Sequence, residues 1–217
     1  MNLEKARFNM VEQQIRPWEV LDTDVLDLLM AVKREDFVPV AHKALAFADI
    51  EIPLGHGVAM LAPKIEAKML QFLQVRKSDK VLEIGAGTGF LTALLATKSD
   101  QVHALEIVPE LAEMARQNLS RAGIVNATVE TGDGAHGAKA KAPFDVIVFG
   151  GSLPVVPADV LAQLKTGGRL FAVVGDGPCM SAQLITCTAP GLFETVPVFE
   201  TLLPALTNAA QGERFVF

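Results

Sequence analysis

The chain has 217 residues, half of them hydrophobic, with a formal net charge of −6 and a sequence pI of about 5.2. That apolar share is ample for a buried core, and the acidic balance argues against a nucleic-acid-binding surface. Two cysteines, Cys179 and Cys187, are too few for a disulfide framework and stand in no metal-type spacing. With no stretch near the roughly 18 apolar residues of a membrane span and no signal-peptide core at the N-terminus, a cytoplasmic protein without membrane or metal is expected.

In chain order, residues 3–15 recur apolar at Leu3, Ala6, Met10 and Ile15, the spacing of one helical face, and Pro17 stops that helix. Trp18 is expected to anchor this segment onto the sheet. Asp22 suits the N-cap of a second helix, "TDVLDLLMAVKR", which ends before the turn "EDFVP". The stretch "EIPLGHGVAMLAP" is punctuated like a shaped loop, with Pro53 and the turn-favouring Gly55, His56 and Gly57. Yet its second half is Val58, Ala59, Met60, Leu61 and Ala62, almost without polar chemistry. Pro63 then opens a helix with Ile65, Met69, Phe72 and Leu73 on one face. Residues 1–78 read as an N-terminal helical cap with one structured loop, and 79–217 as an α/β core forming one compact unit with it.

From Lys80 the texture changes. "KVLEIG" is a short apolar run before a glycine turn, as in a strand buried on both faces. "FLTALLATK" follows as a helix, "QVHALEI" as a strand, and "PELAEMARQNLSRAGI" as a helix closed by Gly123. The strands "NATVETGD" and "FDVIVFGG", the helix "PADVLAQLK", a "TGG" turn and the strand "RLFAVVG" complete the alternation. Such alternation predicts right-handed crossovers and an α/β, doubly wound, mainly parallel sheet. The last stretches, "AQLITCTA" and "LFETVPVFE", have no helix between them and predict an antiparallel strand pair. Position alone suggests that "FETLLPALTNAAQGERFVF" rims a substrate site.

"VLEIGAGTG" places Gly85, Gly87 and Gly89 where the first core strand turns into its helix, the carboxyl end at which such sheets bind ligands. The spacing is Gly-x-Gly-x-Gly, which weighs against the Gly-x-Gly-x-x-Gly of dinucleotide folds. Glu83 precedes the glycines. Glu106 ends the second core strand, where a carboxylate can accept from ribose hydroxyls. Asp133, in "TGDGA", ends the third and is placed to meet an adenine amine. Together these residues resemble the S-adenosylmethionine-dependent methyltransferases. The resemblance implies S-adenosyl-L-methionine as cofactor, with its methionine end at Glu83 and the glycine loop, its ribose at Glu106, its adenine at Asp133 and Gly134, and Ile107 as a further cofactor-binding residue.

The order "REDFVP", "DIEIPLG", "AP" at 62–63, "VLEIGAGTGF", "GDGAHG" and "PFDVIVFGG" narrows this further. It resembles the protein-L-isoaspartate O-methyltransferases from about Met10 to Gly175. The implied function is methylation of a carboxylate at damaged aspartyl sites in a protein or peptide. The sequence departs from that family in one place. Where the family has Gln-Thr-Ile-Ser after the second glycine of the loop, this chain has Val58, Ala59, Met60 and Leu61, and Leu61 stands at the serine that is thought to help hold the substrate carboxylate. A family aromatic hydroxyl is also replaced, by Phe47, and the chain contains no Tyr.

Asp49 and His56 are therefore the polar acceptor-side candidates, with Lys64 and Arg16 as further replacement donors. One rival reading keeps fold and cofactor but takes a small-molecule hydroxyl or carboxyl acceptor. Another keeps only the cofactor site, without catalysis. Nucleic-acid amino-methylation is disfavoured, because "FGGSLP" stands where an Asp/Asn-Pro-Pro-aromatic motif is expected. Oligomeric state is left open.

Overall fold

A computed structural model describes residues 2–210; the expected rim residues 211–217 lie outside the described residues. The N-terminal helix α1 (Leu3–Met10) continues into a π-helical turn, Val11–Ile15, before the Pro17 stop. Asp22 caps α2 (Thr23–Ala31), its side chain accepting from the Asp24 N–H at 2.9 Å. The helix opened by Pro63, α3 (Pro63–Leu73), buries Ile65, Met69, Leu70 and Leu73.

Between α2 and α3 the expected loop is a β-hairpin. Strands β1 (Ile52–Gly55) and β2 (Val58–Met60) pair antiparallel, Ile52 opposite Met60. Its tip holds three consecutive left-handed residues, Gly55, His56 and Gly57 at φ 83°, 54° and 76°. Strands this short carry no readable alternation, so the turn residues alone were legible.

The core alternates β3 (Lys80–Ile84), α4 (Phe90–Lys98), β4 (Gln101–Glu106), α5 (Pro109–Arg121), β5 (Ala127–Thr131) and β6 (Phe144–Leu153). A short α6 (Ala158–Leu161) precedes β7 (Leu164–Asp176), β8 (Cys179–Ala189) and β9 (Leu192–Glu200). One seven-stranded sheet runs β5-β4-β3-β6-β7-β8-β9. Its pairs are parallel through β7 and antiparallel at β7–β8 and β8–β9. This is the expected doubly wound, mainly parallel sheet with a helical cap and antiparallel C-terminal strands.

One helix is shorter than its sequence suggests. "PADVLAQLK" keeps only α6, because Leu164 already pairs with Phe144 and the Gln163 carbonyl accepts the Phe144 N–H. The "TGG" turn becomes a register shift inside β7, with Gly167 at φ 80°.

Cap and core share one apolar cluster that includes Met10, Leu29, Phe37, Ile65, Val81, Phe90 and Phe171. Trp18 does not reach the sheet. It lies half exposed, with Lys64 Nζ 4.1 Å and Lys68 Nζ 5.6 Å from its ring centroid. Both lysines stand on α3. No helix among the described residues is long and apolar enough to cross a membrane.

Candidate active site

The carboxyl ends of β3, β4 and β6 converge on a cleft of about 640 Å³, its open mouth included. Its floor exists because two strand ends lack side chains. A Cβ on Gly150 would lie 2.5 Å from the Gly85 carbonyl oxygen, a clash between two backbones. Gly150→Ala is therefore expected to spread β6 from β3, costing about 1–3 kcal/mol of stability. Cofactor binding should weaken at least tenfold, measured by calorimetric titration beside a denaturation curve.

Glu106 organises the glycine loop. Its two oxygens accept the Gly87 N–H at 2.8 Å and the Val108 N–H at 3.0 Å, and the carboxylate is almost wholly buried. A carboxylate has about four lone-pair sites, so acceptor capacity remains. The neighbouring Ile107, with Asp133 and Gly134, lines the same cleft. Asp133 accepts the Ala135 N–H at 2.9 Å and the Asn208 side-chain amide at 2.8 Å; these bonds hold its carboxyl below the usual range.

Asn208 belongs to a segment that sequence reasoning placed at a substrate rim. Residues 203–209 instead strap the cofactor cleft. The Leu206 N–H donates to the Ser152 carbonyl, and the Ser152 hydroxyl donates to the Leu203 carbonyl, each at 2.9 Å. Leu206, Thr207 and Ala209 line the cleft. Nothing in "PALTNAA" marks this role, since an irregular strap has no periodicity.

Glu83 is fully buried on β3, and no protein group completes a hydrogen bond to either of its oxygens. Burial pushes its pKa up to about 8; the Thr92 hydroxyl works the other way, and the negative charges of Glu66 and Glu106 add to the rise. An uncompensated buried carboxylate asks for a cation. The sulfonium and ammonium groups of S-adenosyl-L-methionine meet that demand, and the glycine floor leaves room for its body. The residues present fit this cofactor.

The cap closes the other side. Leu54, Val58 and Ala59 of the hairpin line the cofactor cleft. Ala59, Met60 and Leu61 face a smaller chamber with Glu83, Glu66 and Phe90. The two spaces share Ala59, Gly85, Gly87 and Gly150. The apolar stretch that looked too plain for a loop is thus a wall against both.

Arg34, a residue of "REDFVP" with no site signature of its own, holds this wall. Fully buried, it donates to the Leu61 carbonyl at 2.6 Å, to the Ala46 carbonyl at 3.1 Å and to the Glu66 carboxylate, with the Phe90 ring centroid 5.0 Å from its guanidinium carbon. Burial pushes the Glu66 carboxyl up, and Arg34 opposes that rise.

Among the remaining candidates, Asp49 pairs with Lys64 at 2.8 Å through one oxygen, while its other oxygen is buried without a protein partner. His56 stands on the exposed hairpin tip. Arg16 is half exposed and pairs with Glu12.

Comparison with known proteins agrees with this geometry. Residues 5–206 match the family described as protein-L-isoaspartate(D-aspartate) O-methyltransferase. A protein-L-isoaspartate O-methyltransferase of Methanoculleus marisnigri is 38% identical over 194 residues, 89% of this chain and 88% of that protein. One from Myxococcus xanthus is 40% identical over 186 residues, 85% and 86% of the two chains. Among solved structures, a Plasmodium falciparum protein-L-isoaspartate O-methyltransferase in complex with S-adenosyl-L-homocysteine has the same fold. Its TM-score is 0.81 at 21% identity, over 95% of this chain and 99% of that one.

Proposed function

The chain belongs to the protein-L-isoaspartate O-methyltransferase family of S-adenosyl-L-methionine-dependent O-methyltransferases, and we propose that it methylates the free carboxylate of isoaspartyl residues in damaged proteins or peptides. The observation that carries this reading is the meeting of the cap's apolar wall, Ala59 to Leu61, with Glu83 and the glycine loop around one chamber. When bound, the cofactor supplies a methyl group made electrophilic by its sulfonium. Glu83 faces that cationic end, Glu106 takes the ribose, and Ile107, Asp133 and Gly134 take the adenine, while Gly85, Gly87 and Gly89 give the backbone room.

A carboxylate acceptor is already ionised at neutral pH, so no residue of the chain has to remove a proton. The protein's contribution is alignment and exclusion of water, which account for several kcal/mol of a barrier. The hairpin and Leu61 supply the dry wall. Asp49, with one oxygen unengaged by the protein, orients the acceptor's amide, and His56 covers the acceptor from the hairpin tip. In this reading the cap, within residues 2–78, supplies the acceptor side and part of the cofactor wall, and residues 79–210 supply the rest of the cofactor side. The two free thiols, Cys179 exposed and Cys187 buried, support a reducing, cytoplasmic setting.

A second reading, a small-molecule acceptor, is favoured by one feature: Val58–Leu61 offers no hydroxyl to a carboxylate. The test is methyl transfer from labelled S-adenosyl-L-methionine to a short isoaspartyl peptide, with the matched aspartyl peptide as control. Saturable labelling of the isoaspartyl peptide alone is expected. No labelling, with cofactor binding intact, would overturn the proposal in favour of small acceptors.

A further inference from the structure

The face of α3 that leads away from Leu61 carries an alternation of cations and rings. Lys64, Lys68 and Phe72 are spaced by four and share one helix face. Trp18 lies over Lys64 and Lys68, Lys68 Nζ is also 4.5 Å from the Phe199 ring centroid, and Phe199 stacks on Phe72 at 6.0 Å. The ladder begins at the acceptor chamber: Lys64 is three positions beyond Leu61 and paired with Asp49, whose charge acts on the buried Arg34.

Charge accounting singles this strip out. The protein carries net charge −6, yet of the two lysines here only Lys64 has a carboxylate partner, Asp49. Among the described residues no carboxylate pairs with Lys68, whose contacts are the two rings. A cation–π contact at the surface is weak. It holds an ammonium group in place without neutralising it. Half-exposed Trp18 adds a flat apolar surface on which a peptide chain can lie. Two cations held between aromatic rings, one of them without a carboxylate partner among the described residues, match an extended chain bearing carboxylates.

We propose that the Trp18–Lys64–Lys68–Phe199 strip is a docking surface for peptide acceptors that carry Asp or Glu beside the isoaspartyl site. The proposal rests on the peptide-methylating reading given above and names the sequence class that reading would prefer. Of the replacement donors named from the sequence, His56 stands on the exposed hairpin tip and Arg16 pairs with Glu12, which leaves Lys64, three positions beyond Leu61.

Trp18 is the only tryptophan in the chain, so its fluorescence reports on this strip alone. The experiment titrates the full-length protein with an isoaspartyl peptide flanked by glutamates, and with the same peptide flanked by lysines or by glycines. It then measures methylation of all three. The acidic peptide is expected to perturb Trp18 saturably, an effect lost at high salt, and to show roughly tenfold higher kcat/KM than the basic one. In Lys68→Glu, with cofactor affinity unchanged, that preference should reverse. Equal Trp18 responses and equal kcat/KM for the three peptides, or a preference untouched by Lys68→Glu, would overturn the strip. If no isoaspartyl peptide is methylated at all, the substrate assignment fails separately, and the Trp18 titration still decides whether acidic peptides dock here.

Discussion

Arg34→Ala is expected to lower folding stability by about 3–5 kcal/mol, the range for breaking a buried ion pair from one side. Three groups lose their donor at once: the Glu66 carboxylate and the Leu61 and Ala46 carbonyls. None can turn to water, because Arg34 and Glu66 are both buried. For a chain of this size the melting temperature should fall by roughly 6–20 °C. The pairing logic gives a sharper check. Arg34→Met combined with Glu66→Leu removes both charges and keeps the volume, so it should recover much of the loss. Denaturant midpoints of the single and double variants measure the coupling. If Arg34→Ala costs no more than an ordinary surface substitution, the guanidinium is not what holds the wall. The double variant, though folded, should still methylate slowly, since the Leu61 carbonyl remains without its anchor.

That Arg34 escaped the sequence reading is instructive. The runs at Val81–Ile84 and Val146–Phe149 announce themselves because burial on both faces leaves them apolar, with Glu83 the one polar residue among the eight. The glycines at 85, 87 and 89 are legible because a close approach of backbone permits little else, and Glu106 because it closes a strand beside them. A buried arginine has no such signature. Its partners, Ala46, Leu61 and Glu66, come together only when the hairpin folds back between α2 and α3, a contact of the fold and not of any local pattern. The strap at 203–209 was hidden for the same reason: its anchors are the backbone and hydroxyl of Ser152, far away in the chain. Trp18 was legible as an anchor, but what it rests on depends on where α3 passes.

Glu83→Gln should have opposite effects on the two states of the protein. A carboxyl whose folded pKa is raised, here from the ordinary 4.5 to about 8, is least costly where it is protonated both folded and unfolded. Its contribution is therefore most favourable below about 4.5 and is lost as pH rises toward 8. Without cofactor, the wild-type protein should lose of order a few kcal/mol across that window from this group alone. The glutamine variant, which never ionises, should be the more stable of the two at pH 8 and above. Cofactor binding reverses the sign, because a cation beside the carboxylate favours its ionised form. At neutral pH, where free Glu83 is mostly protonated, binding should release a proton, seen as a buffer-dependent heat in calorimetry. Wild-type affinity should improve by up to tenfold per pH unit until about pH 8. In Glu83→Gln the pH dependence should flatten and binding weaken roughly 10- to 100-fold, the loss of a charged, buried contact. An unchanged dissociation constant with an unchanged pH profile would mean that the unpartnered oxygens of Glu83 do not face the cofactor. A variant that melts higher at pH 8 yet binds worse would show that the site keeps a destabilising charge because its ligand is positive.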